Sequence, residues 1–259
     1  MLRNLLLLFA ALAAATACTP AYARHLVELS VVDRDDGQSL QPVAYRGEHW
    51  VPGIPGHRYS VRLSNTTGER VLVVLSVDGV NAVSGQTADA SQGGYVLDPW
   101  ESAEIDGWRK SLDEVAQFVF TDLADAYATR TGRPDNVGVI GIAVFRGAPR
   151  LPPAPPPMLR DDSRAAAAPS AKAASANEAA DAGIAAQRIG TGHGDRQWAP
   201  VAQTGFERAS DRPAQVQQLR YDDIDTLVAR GIVRRPCSHR RSPGPQAFPG
   251  GFVPDPPNG

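Results

Sequence analysis

The alternation of apolar and polar residues in the first half of the chain predicts β-strands. Tyr59, Val61 and Leu63 alternate with polar residues, so one face of this segment is apolar. Residues 71–77 form a nearly continuous apolar run, which is typical of a strand that is buried on both faces. A polar turn over 65–70 separates the two segments. The pattern therefore predicts an antiparallel hairpin over residues 59–77.

Similar patterns recur up to residue 146. They predict further strands over 26–32, 94–97, 102–105, 116–120 and 137–145, with one short helix over 123–131. Asp78 and Gly79 form a typical tight-turn pair directly after the apolar run. Short strands at near-regular spacing favour an antiparallel β-sandwich, which we expect to span residues 24–146.

The composition changes after residue 146. Residues 147–187 are rich in Pro and Ala and lack large apolar residues, so they predict a low-complexity linker. Residues 188–233 predict a small C-terminal segment with one helix, capped by Asp222 or Asp223 and ended by Gly231. The glycine-rich stretch 190–194 lacks the lysine of a phosphate-binding loop and predicts a flexible turn. Residues 234–259 predict a disordered tail. The fold class expected is therefore mainly β, a sandwich followed by a linker and a short helical segment that docks on the sandwich or on a partner.

The start of the chain has the parts of an export signal. An early Arg3, a short apolar core and the small residues Ala21 and Ala23 predict a signal peptide over residues 1–23. The alternative is lipidation at Cys18, because Ala-Thr-Ala-Cys over 15–18 loosely resembles a bacterial lipobox. Cleavage after Ala23 predicts a periplasmic or extracellular protein, and lipidation of Cys18 predicts a lipoprotein anchored to the outer membrane.

The net charge, the cysteine content and the apolar segments exclude several partners and bonds. The 259 residues carry a formal net charge of −2, so no general attraction to nucleic acid is expected. After cleavage at Ala23, Cys237 is the one remaining cysteine and no disulfide can form within the chain. No stretch after the signal is long and apolar enough for a transmembrane segment.

Two groups of residues are candidates for binding. Trp108, Arg109 and Lys110 join an aromatic plane to two cations and could hold a sugar ring or a carboxylate. The alternative is a core tryptophan beside solvated charges. Asp78 and Asn81 follow the most apolar strand and could form a ligand loop, whereas the alternative is a turn that they stabilise by bonding to their own backbone.

The sequence carries no recognisable catalytic motif. Its five histidines have no partners at metal-binding spacing, so we predict neither a metal site nor a cofactor. No serine lies in a nucleophile elbow, and no spacing rule selects a pair of carboxylates. A non-enzymatic role is therefore the favoured interpretation, and an enzyme remains the alternative.

Several blocks of sequence resemble a group of uncharacterised exported proteins of Gram-negative bacteria. The blocks are residues 55–59, 77–81, 94–97, 107–111, 118–121, 132–138 and 198–201. The resemblance implies one compact exported domain in a Gram-negative envelope and brings no known activity with it.

Three functions remain as hypotheses. The first is a non-enzymatic envelope protein that binds or assembles with another envelope protein or a glycan through a sheet or loop face. The second is a carbohydrate-binding or hydrolytic enzyme on a β scaffold. The third is an outer-membrane lipoprotein anchored at Cys18, with residues 147–187 as a tether. A pocket with two carboxylates near Trp108 favours the enzyme, and an open sheet edge favours binding.

Overall fold

The computed structural model describes residues 25–149 and 187–234. The predicted signal peptide, Cys18, residues 150–186 of the predicted linker, Cys237 and the predicted tail from 235 onward lie outside these residues. The strands are β1 (Val27–Asp33), β2 (Gln38–Leu40), β3 (Val43–Tyr45), β4 (Glu48–Gly53), β5 (Arg58–Asn65), β6 (Val71–Val77), β7 (Val80–Asn81), β8 (Tyr95–Leu97), β9 (Ser102–Ile105), β10 (Gly107–Arg109), β11 (Glu114–Asp122), β12 (Val139–Arg146), β13 (Ile189–Trp198) and β14 (Gln215–Asp223). The helices are α1 (Tyr127–Arg130) and α2 (Ile224–Ala229), with 3₁₀ turns at Leu123–Asp125 and Pro134–Asn136.

The strands form two sheets that pack as a β-sandwich. Sheet A has the order β2, β1, β5, β11, β13, and β9 and β10 lie where β5 and β11 diverge. Sheet B has the order β3, β4, β14, β12, β6, and β7 and β8 both pair with the far side of β6. The pairings are antiparallel except for β4 with β14, which is parallel. The predicted β-sandwich is confirmed as a mainly β fold of two sheets.

The predicted hairpin over 59–77 is wrong. Strand β5 lies in sheet A and pairs with β1, whereas β6 lies in sheet B and pairs with β12. The polar turn between them therefore crosses from one sheet to the other. Turn chemistry is the same for a hairpin and for such a crossing. The choice between them comes from packing, because β6 is apolar on both faces and needs cover on both.

Both faces of β6 are indeed covered. Val71, Val73 and Leu75 point into the core between the sheets, and Leu72 and Val74 pack on the other face with Phe145. That outer cluster is completed by Phe206 and Arg208, which has its guanidinium carbon 4.0 Å from the centre of the Phe145 ring. Phe206 and Arg208 both belong to the segment 199–214, which joins β13 to β14 and which we call the strap.

The C-terminal segment supplies two strands that the sequence pattern did not predict. Strand β13 extends sheet A beside β11, and β14 lies inside sheet B between β4 and β12. The predicted turn over 190–194 is wrong, because these residues belong to β13. A Cβ atom at Gly190 would lie 2.5 Å from the Cβ of Ala126 and 2.6 Å from a methyl of Val137. The glycine is therefore there for close packing rather than for a turn.

The strap is fixed along its length by backbone hydrogen bonds. The N–H of Ala199 donates to the carbonyl of Asp113 (2.7 Å), and the N–H of Val201 donates to that of Leu112 (2.8 Å). Further on, the N–H of Ala148 donates to the carbonyl of Glu207 (2.8 Å). Helix α2 follows β14, and the Asp223 carboxylate accepts the N–H of Thr226 at its first turn (2.9 Å). No helix in residues 25–149 or 187–234 is long and apolar enough to cross a membrane.

Candidate functional site

Asp78 and Asn81 are both fully buried. Asp78 and Gly79 have φ angles of 53° and 72°, and they form the predicted tight turn between β6 and β7. The Asn81 side-chain oxygen accepts the N–H groups of Val83 (2.7 Å) and Ser84 (3.0 Å). Asn81 thus bonds to its own turn, as the turn alternative expected, whereas the Asp78 carboxylate accepts from residues far away in the chain.

Asp78 is the centre of a buried hydrogen-bond network. One carboxylate oxygen accepts from the Gly138 N–H (2.9 Å) and the Tyr221 hydroxyl (2.6 Å), and the other accepts from the Thr191 N–H (2.7 Å). The Thr191 hydroxyl in turn bonds to the hydroxyls of Tyr221 (2.7 Å) and Tyr59 (2.6 Å). Burial raises the pKa of Asp78 to about 6, although these hydrogen bonds oppose the rise. The network joins both sheets, and its members are completely buried.

Trp108 is a core residue. Its side chain is 2% exposed, with ring centres 4.9 Å from Phe118 and 5.0 Å from Tyr127. Stacking on a sugar ring needs an exposed aromatic face, so Trp108 matches the core alternative. Arg109 is half-buried and Lys110 is exposed. These two cations therefore remain as candidates at the surface.

Arg109 and Lys110 line a groove at one open side of the sandwich, which we call the edge groove. Its walls are residues 83–84, residues 94–97 with β8 of sheet B, residues 101 and 103–105 with β9 of sheet A, residues 109–112, and residues 199–204 of the strap. Its volume is about 1010 Å³. Within the described strands, β8 pairs with β6 alone and β9 pairs with β5 alone, so each has an edge without a strand partner.

Tyr95 and Arg109 meet in the wall of the edge groove. The Tyr95 hydroxyl and the Arg109 Nε atom are both buried. The other end of the guanidinium is held, because Arg109 Nη1 donates to the carbonyls of Ala199 and Leu112. Burial raises the pKa of Tyr95, and a hydrogen bond with the Arg109 guanidinium, together with its positive charge, opposes that rise. These contacts join the strap to the groove wall and hold Arg109 beside Tyr95.

Large apolar side chains are exposed in and beside the segments that form the edge groove. Trp100, 68% exposed, lies in the connection from β8 to β9. Leu112 and Val201 are joined by a backbone hydrogen bond and are 48% and 38% exposed, and Trp198, 68% exposed, lies at the end of β13 beside them. Exposed tryptophans in such positions are typical of interaction surfaces.

A second polar cluster lies at the start of β5. The carboxylate of Asp33 is buried; one oxygen accepts the N–H groups of Asp35 and Asp36, and the other lies 2.8 Å from Nδ1 of His57. This hydrogen bond raises the pKa of His57. Ligand atoms of Asp33, Asp36 and His57 lie within 4.8 Å of one another. The sequence pattern gave no sign of this grouping, because residues 33 and 57 are far apart in the chain. Both oxygens of Asp33 already have partners, so the contacts describe an aspartate–histidine pair that holds a turn.

Comparison of the chain with protein family models, curated proteins and solved structures finds no match. The edge groove is the feature of the described residues that bears most directly on function. Sequence patterns placed Arg109 and Lys110 among the candidates and missed Tyr95, because nothing in a three-residue strand shows that its side chain meets Arg109.

Proposed function

We propose that this protein is a non-enzymatic binding module exported to the envelope of a Gram-negative bacterium, and that its edge groove holds an extended segment of another envelope protein. The observation that carries the proposal is the groove between two unpaired strand edges, β8 and β9. An unpaired edge presents backbone N–H and C=O groups that an extended peptide can pair with.

The apolar residues near the groove support a protein partner. Trp100 lies in the connection from β8 to β9, and Leu112, Trp198 and Val201 lie near one another beside the strap. Exposed apolar side chains of this size are typical of interaction surfaces. Side chains of a bound segment that project out of the groove would therefore have apolar residues nearby to contact.

The carboxylates near the groove support binding over hydrolysis. Glu104 accepts hydrogen bonds from Arg62, which fixes its side chain in an ion pair (Nε to Oε1, 2.9 Å). Glu101 accepts the N–H of Asp98 (2.6 Å). Neither carboxylate is buried without a partner, which is the setting of a typical catalytic acid. Trp108 lies in the core, so it presents no exposed ring beside these carboxylates.

Site-specific photocrosslinking in living cells tests the proposal. A photoreactive residue replaces Ser111 at the edge groove, and a control replaces Ser39 on β2, an exposed position at the far edge of sheet A. We expect a discrete crosslinked envelope protein from position 111 and none from position 39. Crosslinks at 39 alone would place binding at the other edge and overturn the proposal.

Direct binding with the purified crosslinked partner completes the test. Ala202 is an exposed strap residue in the groove wall, and Ala202→Trp fills the groove without removing a buried contact. Ala214→Trp is the matched control, at an exposed strap position that is not part of the groove wall. We expect Ala202→Trp to weaken binding at least about tenfold and Ala214→Trp to leave it unchanged. Equal affinities for both variants contradict the proposal.

Export is part of the same proposal and depends on residues 1–23. Cleavage after Ala23 gives a soluble mature protein, and lipidation of Cys18 gives an anchored one. Labelling of cells with radioactive palmitate distinguishes them, because lipidation predicts a label that Cys18→Ala abolishes.

A further inference from the structure

We infer that the strap supplies a second pairing edge to the edge groove. A bound extended segment then pairs with a strand edge on one side and with the backbone of Ala202 and Thr204 on the other. This inference rests on the proposed function and assigns further binding residues to the same groove. It starts from an extended stretch of the strap that lines the groove and pairs with no described strand.

The strap runs along the groove in an extended path. Residues 199–207 contain no helix, strand, turn or bend, and they are the longest such stretch in residues 25–149 and 187–234. Residues 199–204 line the same groove as β8 and β9. The strap therefore has the backbone path that strand pairing requires, and it lies beside the two unpaired strand edges.

The hydrogen bonds of the strap show which of its two edges is free. The N–H groups of Ala199 (2.7 Å) and Val201 (2.8 Å) donate to carbonyls within residues 112–113. Backbone groups of successive residues in an extended chain point to alternate sides, so these bonds occupy one edge of the strap. The backbone groups of Ala202 and Thr204 point to the opposite edge. They make no hydrogen bond to any described residue, so they remain available to a bound segment.

The free edge is held in position from both sides. Before it, the Arg109 guanidinium donates to the carbonyl of Ala199. After it, the N–H of Ala148 donates to the carbonyl of Glu207 (2.8 Å). A backbone that is fixed at both ends loses little conformational entropy when its middle pairs with a ligand.

Two pairing edges would favour the groove over the ends of the sheets. Strands β2 and β3 each lie at the end of a sheet, where an added peptide pairs with that one strand. A peptide between a strand edge and the strap resembles a central strand and can form about twice as many backbone hydrogen bonds. The strap therefore gives the groove an advantage that a single strand edge does not have.

Methylation of the bound peptide tests whether both of its edges are paired. The probe is a blocked heptapeptide with the sequence around the partner residue that is crosslinked from position 111. Two variants carry N-methyl groups on either the odd or the even residues, which removes the donors along one edge of the extended peptide or along the other. Pairing on both sides predicts that each variant binds at least about tenfold more weakly than the unmethylated peptide. A loss for one variant only, or for neither, overturns the inference.

Proline substitutions in the strap test the second edge directly. Ala202→Pro removes an N–H from the free edge, and Gln203→Pro is the matched comparison, because it removes the neighbouring N–H that points to the other side. Both positions are exposed, and proline fits an extended path, as Pro200 does in the same strap. We expect Ala202→Pro to weaken binding of the unmethylated heptapeptide about tenfold more than Gln203→Pro does. Equal affinities for the two variants contradict the inference.

A stability measurement separates this role from a structural one. The N–H groups of Ala202 and Gln203 have no acceptor among the described residues, so neither proline variant should lower the urea midpoint. Ala148→Pro removes an N–H that is bonded to the carbonyl of Glu207, and its midpoint should fall. A fall for Ala202→Pro equal to that for Ala148→Pro would mean that this strap N–H has a structural partner, which overturns the inference.

Ala202→Trp, which fills the groove, distinguishes this inference from the proposed function. If Ala202→Trp weakens binding of the heptapeptide while the two proline variants bind it equally, the groove remains the binding site and pairing with the strap is refuted. If Ala202→Trp and the wild type bind the heptapeptide equally, the groove is not the site and both proposals fail.

Discussion

The hydroxyl of Tyr221 donates a hydrogen bond of 2.6 Å to the carboxylate of Asp78, and both residues are completely buried. The two residues are 143 positions apart, on opposite sides of the predicted linker. Asp78 lies in the turn after β6, and Tyr221 lies in β14. The bond therefore joins the two described parts of the chain in the centre of the fold. Its removal tests whether this contact between the two parts stabilises the protein.

Removal of the Tyr221 hydroxyl should destabilise the protein. Tyr221→Phe takes one donor from Asp78 and one partner from Thr191, and a buried polar group that loses its partner typically costs about 1–3 kcal/mol. Urea unfolding followed by tryptophan fluorescence measures the change. Tyr45→Phe is the control, because Tyr45 is only half-buried and lies outside the network. Similar small changes in both variants would contradict the importance of the network.

The titration of Asp78 predicts how stability depends on pH. Its pKa is about 6 in the folded protein against 3.8 for an unperturbed aspartate, so the folded state binds this proton more tightly than the unfolded state. The contribution is fully present below pH 3.8, declines as the pH rises through 6, and amounts to roughly 3 kcal/mol in total. His57, with a raised pKa, acts in the same direction at higher pH.

Comparison with Asp78→Asn isolates this contribution, because asparagine does not titrate. The variant should be less stable overall, since its amide nitrogen meets groups that donate. Its free energy of unfolding, measured in urea between about pH 4 and pH 7, should fall less with pH than that of the wild type. Parallel curves for the two proteins would show that Asp78 is ionised throughout this range.

The close packing of Gly190 predicts intolerance to a single methyl group. A Cβ at this position would lie 2.5 Å from the Ala126 side chain and 2.6 Å from that of Val137, so Gly190→Ala should cost about 1–3 kcal/mol by overpacking. Gly205 in the strap has open space where a Cβ would lie and no positive φ, so Gly205→Ala is the matched control. Thermal unfolding should show a lower midpoint for the first variant and little change for the second. Tolerance of alanine at 190 would mean that β13 does not pack closely against residues 126 and 137.

The sheet topology predicts that the protein survives a cut in the predicted linker. A protease site inserted between residues 160 and 175 would separate the residues before it from β13 and β14. Because β13 pairs with β11 and β14 pairs with both β4 and β12, the two pieces should co-elute in size-exclusion chromatography after cleavage. They should separate in urea. Separation without denaturant would show that the C-terminal strands contribute little to the sandwich.

Local sequence patterns predicted much of the strand content and little of the pairing. The alternation around Tyr59 and the apolar run over 71–77 each form a strand, and 102–105 matches β9 in both bounds. The hairpin over 59–77 is wrong because the partner of a strand depends on which faces are covered elsewhere. Strand β13 was missed because its glycines are typical of turns, and the need for close packing at Gly190 arises only from contact with Ala126 and Val137.

Some features of the candidate site also follow from local sequence, and others depend on the tertiary structure. Local sequence is enough to set Trp108, Arg109 and Lys110 side by side, to make Asp78 and Gly79 a turn, and to make the chain mainly β. Packing of the two sheets, by contrast, buries Trp108 and Asp78 and brings Arg109 into a groove beside Tyr95. The difference lies in the distance along the sequence over which each effect acts. Periodicity and turn chemistry act over a few residues, whereas the groove and the buried network require segments from residues 78–112 and 187–221 to meet, which depends on how the two sheets pack.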